Sequence, residues 1–223
     1  MAARVTPGAV ARPRGATELQ MLRYAEDVRR LYRQLQRSIC QSLLGLANAL
    51  EAKDPYTRGH SERVGAWGGR IAAALGLPAE DIDTITQAGL LHDIGKIGVP
   101  ESVLRKRGPL DESEWALMRN HPIVGAQIVA PFEFFAGGSL VIRHHHERWD
   151  GSGYPDGLTG AAIPIGARVV AVADVFDALT SDRPYRPALP RDTVLAYLAE
   201  EAGRSLDADV VAVLFGLVRL DAA

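Results

Sequence analysis

Only one cysteine, Cys40, occurs in the 223 residues, so no disulfide can form within the chain, and a reducing compartment fits this usage. Long apolar runs are also missing. None approaches the roughly 20 residues needed to span a bilayer, so no membrane insertion is expected. The first residues lack the apolar core of a secretion signal, and a cytoplasmic location is the expectation. Excess charge is absent as well: 25 Lys and Arg against 27 Asp and Glu leave a formal charge of -2. That balance provides no field for duplex nucleic acid or an anionic membrane. An anionic substrate must therefore be drawn by local charge or by metal. What remains is ordinary globular composition, with enough length for one good-sized core and a small appendage.

Residues 1–16 hold two prolines, two glycines and no apolar period, and read as a flexible leader. Thr17 with Gln20 resembles a capping box that opens a helix over 17–52. Along it Val28, Leu31, Leu35, Ile39, Leu43, Leu46 and Leu50 recur in steps of three and four, which describes one stripe. Two readings stay open: a helix packed on its own domain, or a stalk that dimerises or relays a signal from an upstream sensor or receiver domain. From 53 to 223 the pattern is helix, loop, helix. Helices are expected over 79–97, 112–120, 122–130, 138–148, 191–202 and 208–219, with a glycine-rich loop at 150–160. The run from Val169 to Val175 is ambiguous, because β-propensity alone would make it a buried strand.

Six histidines carry the chemical signal: His60, His92, His121, His144, His145 and His146. A lone buried histidine is more often a satisfied core residue than a ligand. Here most stand beside carboxylates or in glycine-bounded segments. In Leu90-Leu91-His92-Asp93-Ile94-Gly95-Lys96, a polar pair sits among apolar residues, and a buried carboxylate needs a cation. His92 could bind one ion while Asp93, with two oxygens, bridges to a second. Lys96 lies three residues after Asp93 and can aim its ammonium at a phosphate; the plainer alternative is a structural Asp93–Lys96 salt bridge. Imidazole donors suit iron, manganese or zinc better than calcium. In His145-His146-Glu147-Arg148-Trp149-Asp150-Gly151-Ser152-Gly153-Tyr154-Pro155, the glycines allow a tight loop with backbone close to a ligand. Glu147 and Asp150 would orient the histidines or brace that loop. Asp174, with Asp177 one turn later and then Arg183 and Arg186, suggests a metal ligand beside a phosphate clamp.

These stretches, with His60-Ser61-Glu62-Arg63-Val64 and His121-Pro122, resemble the HD-GYP family, a branch of the HD metal-dependent phosphohydrolases, over roughly residues 50 to 220. The resemblance implies an all-α fold, an HD-type helical bundle preceded by the long N-terminal helix, and so makes 169–179 helical. It implies two divalent metal ions, iron or manganese. His60, His92, Asp93 and Asp174 would hold one, and Asp93, His121, His145 and His146 the other. His144 is left as a supporting or surface residue. Tyr56 stands where some members place a glutamate for a third metal. Lys96, Tyr154, Arg183 and Arg186 match nucleotide-contacting positions, and Asp177 is expected to support the site through a hydrogen bond, with Lys96 as its partner. The implied activity is bacterial cyclic di-GMP phosphodiesterase: a hydroxide bridging the metals opens the ring to linear pGpG, and whether cleavage continues to GMP stays open. Two other classes remain: a catalytically silent domain that binds nucleotide or protein, and an HD phosphohydrolase for dNTPs or (p)ppGpp.

Overall fold

The structure is a computed structural model, and it describes residues 14–51, 59–106, 108–182 and 187–221. Among the described residues ten α-helices follow one another: α1 (Arg14–Glu51), α2 (His60–Ala74), α3 (Ala79–Leu91), α4 (Glu101–Leu104), α5 (Glu112–Arg119), α6 (His121–Val129), α7 (Ala136–His144), α8 (Ile165–Thr180), α9 (Arg191–Glu201) and α10 (Ala208–Leu220). Short 3-10 turns lie at Ile94–Gly98, Glu133–Phe135 and Gly160–Ala162. Among the described residues no β-strand forms, so the all-α expectation holds. No described helix is long and apolar enough to cross a membrane.

The chain divides into two units between Gln41 and Ser42. The first is the N-terminal part of α1, whose apolar residues stand in solvent, among them Met21, Tyr24, Val28, Leu31 and Leu35. The second contains everything after it, including the last turns of α1, where Leu43 and Ala47 are buried. The helix is already running at Arg14, so Thr17 is inside it and does not cap it. Of the expected leader, residues 1–13 lie outside the described residues.

The core of the larger unit is built around α8. Ala167, Val169, Val170, Val172 and Ala173 have no exposed surface. A helix enclosed on nearly all sides is apolar nearly all round, which is why this run imitates a buried strand in sequence. α2 and α3 pack antiparallel and very close. A Cβ built on Gly89 would lie 2.8 Å from the Gly65 Cα, so glycine at both positions lets the two backbones touch. This contact brings the start of α2 beside the end of α3, and so His60 beside His92. Two helix starts are fixed by side-chain caps: Asp111 and Glu114 form a reciprocal capping box on α5, and Asp207 accepts from Asp209 N–H on α10. The expected helix 79–97 is interrupted. α3 ends at Leu91, His92 is its cap, and a 3-10 turn begins at Ile94.

Candidate metal centre

His60 opens α2, His92 ends α3, Asp93 precedes the 3-10 turn, His121 opens α6, His145 and His146 follow α7, and Asp174 lies on the middle of α8. Five helix ends and one helix face thus supply seven side chains to one place. They form two adjoining groups, His60–His92–Asp174 and Asp93–His121–His145–His146, each with its donor atoms within 4.8 Å of one another. Asp93 faces both. Its Oδ2 lies 3.4 Å from His92 Nε2 and its Oδ1 lies 3.3 Å from His121 Nε2. It does so from the junction between two helices rather than from within one, which is what allows its two oxygens to face opposite ways.

The tautomers are set by the backbone. His92 Nδ1 donates to the Gly89 carbonyl, His121 Nδ1 to that of Met118 and His145 Nδ1 to that of Ile142, each at 2.7 Å. A carbonyl only accepts, so the proton of each neutral ring sits on Nδ1 and the Nε2 lone pair faces inward. His121 Nε2 and His145 Nε2 are only 3.4 Å apart. Two lone pairs at that distance repel unless a proton or a metal cation lies between them. Donors each about 2.1 Å from one ion stand about 3.0–3.4 Å apart, and His60 Nε2 to Asp174 Oδ1 is 3.2 Å. The residues fit a pair of divalent cations.

Electrostatics separate the two groups. Burial drives His145 well below the ordinary histidine value and His146 down to about 4, helped by the neighbouring imidazoles, so both rings are neutral and ready to ligate. Burial acts in the same direction on His60, but the hydrogen bonds to Asp174 and Asp177 override it and raise His60 to about 9. Burial also works to lower His92, but the charge and hydrogen bond of Asp93 and the charge of Asp174 together override it and raise His92. Burial alone would raise Asp93, yet the ammonium of Lys96 and the imidazolium of His92 hold it well below the carboxylate range. Asp174 is likewise held low against burial by the His60 hydrogen bond and the His92 charge. Without metal, the first group shares protons where a cation would sit, and metal binding must displace them.

Asp177 makes a supporting hydrogen bond, but with a different partner from the one expected. Its Oδ2 accepts from His60 Nδ1 at 2.7 Å, and Arg63 donates to both its oxygens, at 2.5 and 3.0 Å. It orients His60 through the far ring nitrogen, as carboxylates behind metal-binding histidines do. Lys96 instead meets Asp93 Oδ2 at 2.5 Å, so the Asp93–Lys96 pair is present. Arg63, one helical turn after His60, was assigned no role by sequence; the His-x-x-Arg spacing was the available signal. His144 is buried rather than on the surface. Its Nδ1 makes no hydrogen bond and lies 3.6 Å from Glu147 Oε1 and 3.5 Å from Asp156 Oδ2. Glu147 braces the loop after the histidines by accepting from the N–H groups of Asp156 and Leu158, at 2.7 and 3.1 Å. Asp150 instead caps its own turn, through Ser152. Tyr154 is half-buried against His146, with ring centroids 4.9 Å apart. Arg183, Arg186 and Tyr56 lie outside the described residues.

Among the described residues, helix ends thus converge on paired His/Asp clusters whose donor atoms could hold metal ions. A family model described as "HD domain" matches residues 45–210, and the chain belongs to that family. The cyclic di-GMP phosphodiesterase response regulator RpfG of Xanthomonas campestris pv. campestris (strain 8004) is 47% identical over 184 residues, which cover 81% of this chain and 49% of that protein. The 3′3′-cGAMP-specific phosphodiesterase 3 of Vibrio cholerae is 41% identical over 165 residues, or 74% of this chain and 36% of that protein. The chain thus spans about half or less of the curated relatives' lengths. Among solved structures, a cyclic GMP-AMP-specific phosphodiesterase of V. cholerae superposes with a TM-score of 0.64 at 20% identity, covering 81% of this chain and 48% of that one. At that identity the likeness supports the fold.

Proposed function

We propose that this chain is a metal-dependent phosphodiesterase that opens cyclic di-GMP to linear pGpG, with GMP as the product only if a second cleavage follows. One observation carries the reading: two His/Asp clusters adjoin at Asp93, which belongs to one through Oδ1 beside His121 and turns Oδ2 toward His92 of the other. His60, His92, Asp174 and one Asp93 oxygen would hold one cation; the other oxygen, His121, His145 and His146 would hold the second. The mixed imidazole and carboxylate donors suit iron, manganese or zinc, and the family resemblance favours iron or manganese. Two such cations supply Lewis acidity and a nucleophilic water at neutral pH. The protein's own part is positional and electrostatic. Asp177 and Arg63 fix His60, and the carbonyls of Gly89, Met118 and Ile142 fix three other rings. Lys96, held beside Asp93 and part-exposed, is placed to meet charge that grows on a phosphate oxygen. Tyr154, Arg183 and Arg186 complete the nucleotide contacts in this reading. The names of the curated relatives support a cyclic dinucleotide as substrate.

The test is turnover by protein loaded with manganese, or with ferrous iron without oxygen, on cyclic di-GMP, 3′3′-cGAMP, dNTPs and (p)ppGpp, with products identified. The expected result is consumption of cyclic di-GMP with linear pGpG as first product. Loaded protein that binds cyclic dinucleotides without cleaving them would be a silent signalling domain. A preference for dNTPs or (p)ppGpp would make it a general HD phosphohydrolase.

In the same reading α1 is a stalk that dimerises with a second copy in the bacterial cytoplasm and carries a signal from an upstream sensor or receiver domain. Met21, Tyr24, Val28, Leu31 and Leu35 recur in steps of three and four and are 46–73% exposed, which is the seam of a two-stranded coiled coil. The name response regulator on one relative supports the receiver. Light scattering should find a dimer that Leu31→Glu with Leu35→Glu turns into a monomer. A monomeric parent protein would refute the stalk.

A further inference from the structure

Beside the metal centre, α5 presents a group of side chains that neither the clusters nor the fold requires. Trp115 and Arg119 lie four residues apart on one helix face. The Trp115 indole is 44% exposed, and the Arg119 guanidinium carbon lies 5.6 Å from its ring centroid. The same carbon is 5.8 Å from the Tyr154 ring, which itself leans on His146. Indole, guanidinium and phenol therefore form a series that starts at a metal-cluster histidine and ends in solvent. Among the described residues no carboxylate pairs with Arg119, whereas Arg63, Arg70, Arg143 and Arg168 each meet an aspartate. The placement is anchored: the last turn of α5 provides the Met118 carbonyl that orients His121. The Arg119 backbone is thus tied to the cluster through α5, while its side chain is exposed.

A phosphate would need only the charge. An exposed indole beside it adds a flat apolar face, the surface on which nucleobases stack, and a guanidinium plane stacks a base equally well while its fork matches O6 and N7 of guanine. We propose that Trp115, Arg119 and Tyr154 form a purine subsite that takes a guanine base of the cyclic dinucleotide, one ribose away from the phosphate at the metal centre. The inference rests on the phosphodiesterase reading for its substrate. It makes Trp115 and Arg119 binding residues that leave the chemistry to the clusters.

The experiment compares Trp115→Leu, Trp115→Tyr and Arg119→Met with the parent protein, all metal-loaded. kcat and KM are measured on cyclic di-GMP and on bis(p-nitrophenyl) phosphate, a diester with no base. For Trp115→Leu and Arg119→Met, KM on cyclic di-GMP should rise about 10-fold with kcat within about twofold. The ratio of kcat/KM between the two substrates should fall about 10-fold, and Trp115→Tyr should recover most of it. An unchanged ratio, or an equal loss on both substrates, overturns the subsite. So does an effect of Arg119→Met with Trp115→Leu silent, which would mark a charge clamp. If the parent binds cyclic di-GMP without cleaving it, the catalytic reading fails alone. The same variants must then raise the calorimetric Kd about 10-fold, and no change would overturn the subsite. A parent that neither binds nor cleaves it overturns both.

Discussion

Asp93→Ala is expected to abolish turnover and metal loading together. Asp93 belongs to the second group and also reaches the first, with its oxygens 3.4 and 3.3 Å from His92 and His121 Nε2. Its loss removes one donor from each cation at once, and with it the counter-charge of Lys96. A two-metal centre contributes several kcal/mol of transition-state stabilisation, so kcat/KM should fall at least about 1000-fold. Metal content of the purified protein should fall from two equivalents toward zero. Asp93→Asn keeps the volume and one carbonyl oxygen but no charge, and should lie near the alanine variant in activity. Unchanged metal content in Asp93→Ala would remove Asp93 from its bridging place.

Gly95→Ala is the second large effect, and it acts on the fold. A Cβ at this position would run into the His121 carbonyl and the Gly125 amide and come within 2.9 Å of the Gly125 Cα. These are backbone atoms on α6, so no side chain can rotate away. The 3-10 turn must separate from α6, and Asp93 moves from His121. Overpacking against rigid backbone should cost about 3 kcal/mol. In a domain of this size that lowers Tm by roughly 6–12 °C. Metal affinity should fall with it, because the second cluster is assembled across that same contact. A melting temperature within about 2 °C of the parent would show that the contact is looser than described.

Much of this arrangement was legible in sequence because the residues that gather the metal are chemically conspicuous. A His-Asp pair among leucines, and histidines leading into a Gly-Ser-Gly-Tyr-Pro loop, are costly to bury for any other purpose. Helices α9 and α10 came within a residue of the expected spans, since Pro190 and Asp207 mark their starts. Elsewhere tertiary contact decided. The end of α3 was missed because nothing local tells that Gly95 must press on α6, which converts the expected last turn into a 3-10 turn. The Val169–Val175 run misled β-propensity because α8 is enclosed by its neighbours. Asp177 was assigned to Lys96 because both looked close to the site. In the fold Lys96 is taken by Asp93, three residues before it, and Asp177 lies under His60. Only the packing of α2 on α8 creates that pair. His144 was set apart from its two neighbours only by the family resemblance, since three consecutive histidines carry no local sign of which one turns away.

The most direct measurement of the central claim is the number and position of metal ions in protein purified without oxygen. Elemental analysis should give two iron or manganese ions per chain. Anomalous diffraction should place one among His60, His92 and Asp174 and the other among His121, His145 and His146, with Asp93 touching both. A chain that takes up no transition metal at saturating concentration, or ions found away from these seven side chains, would contradict the account.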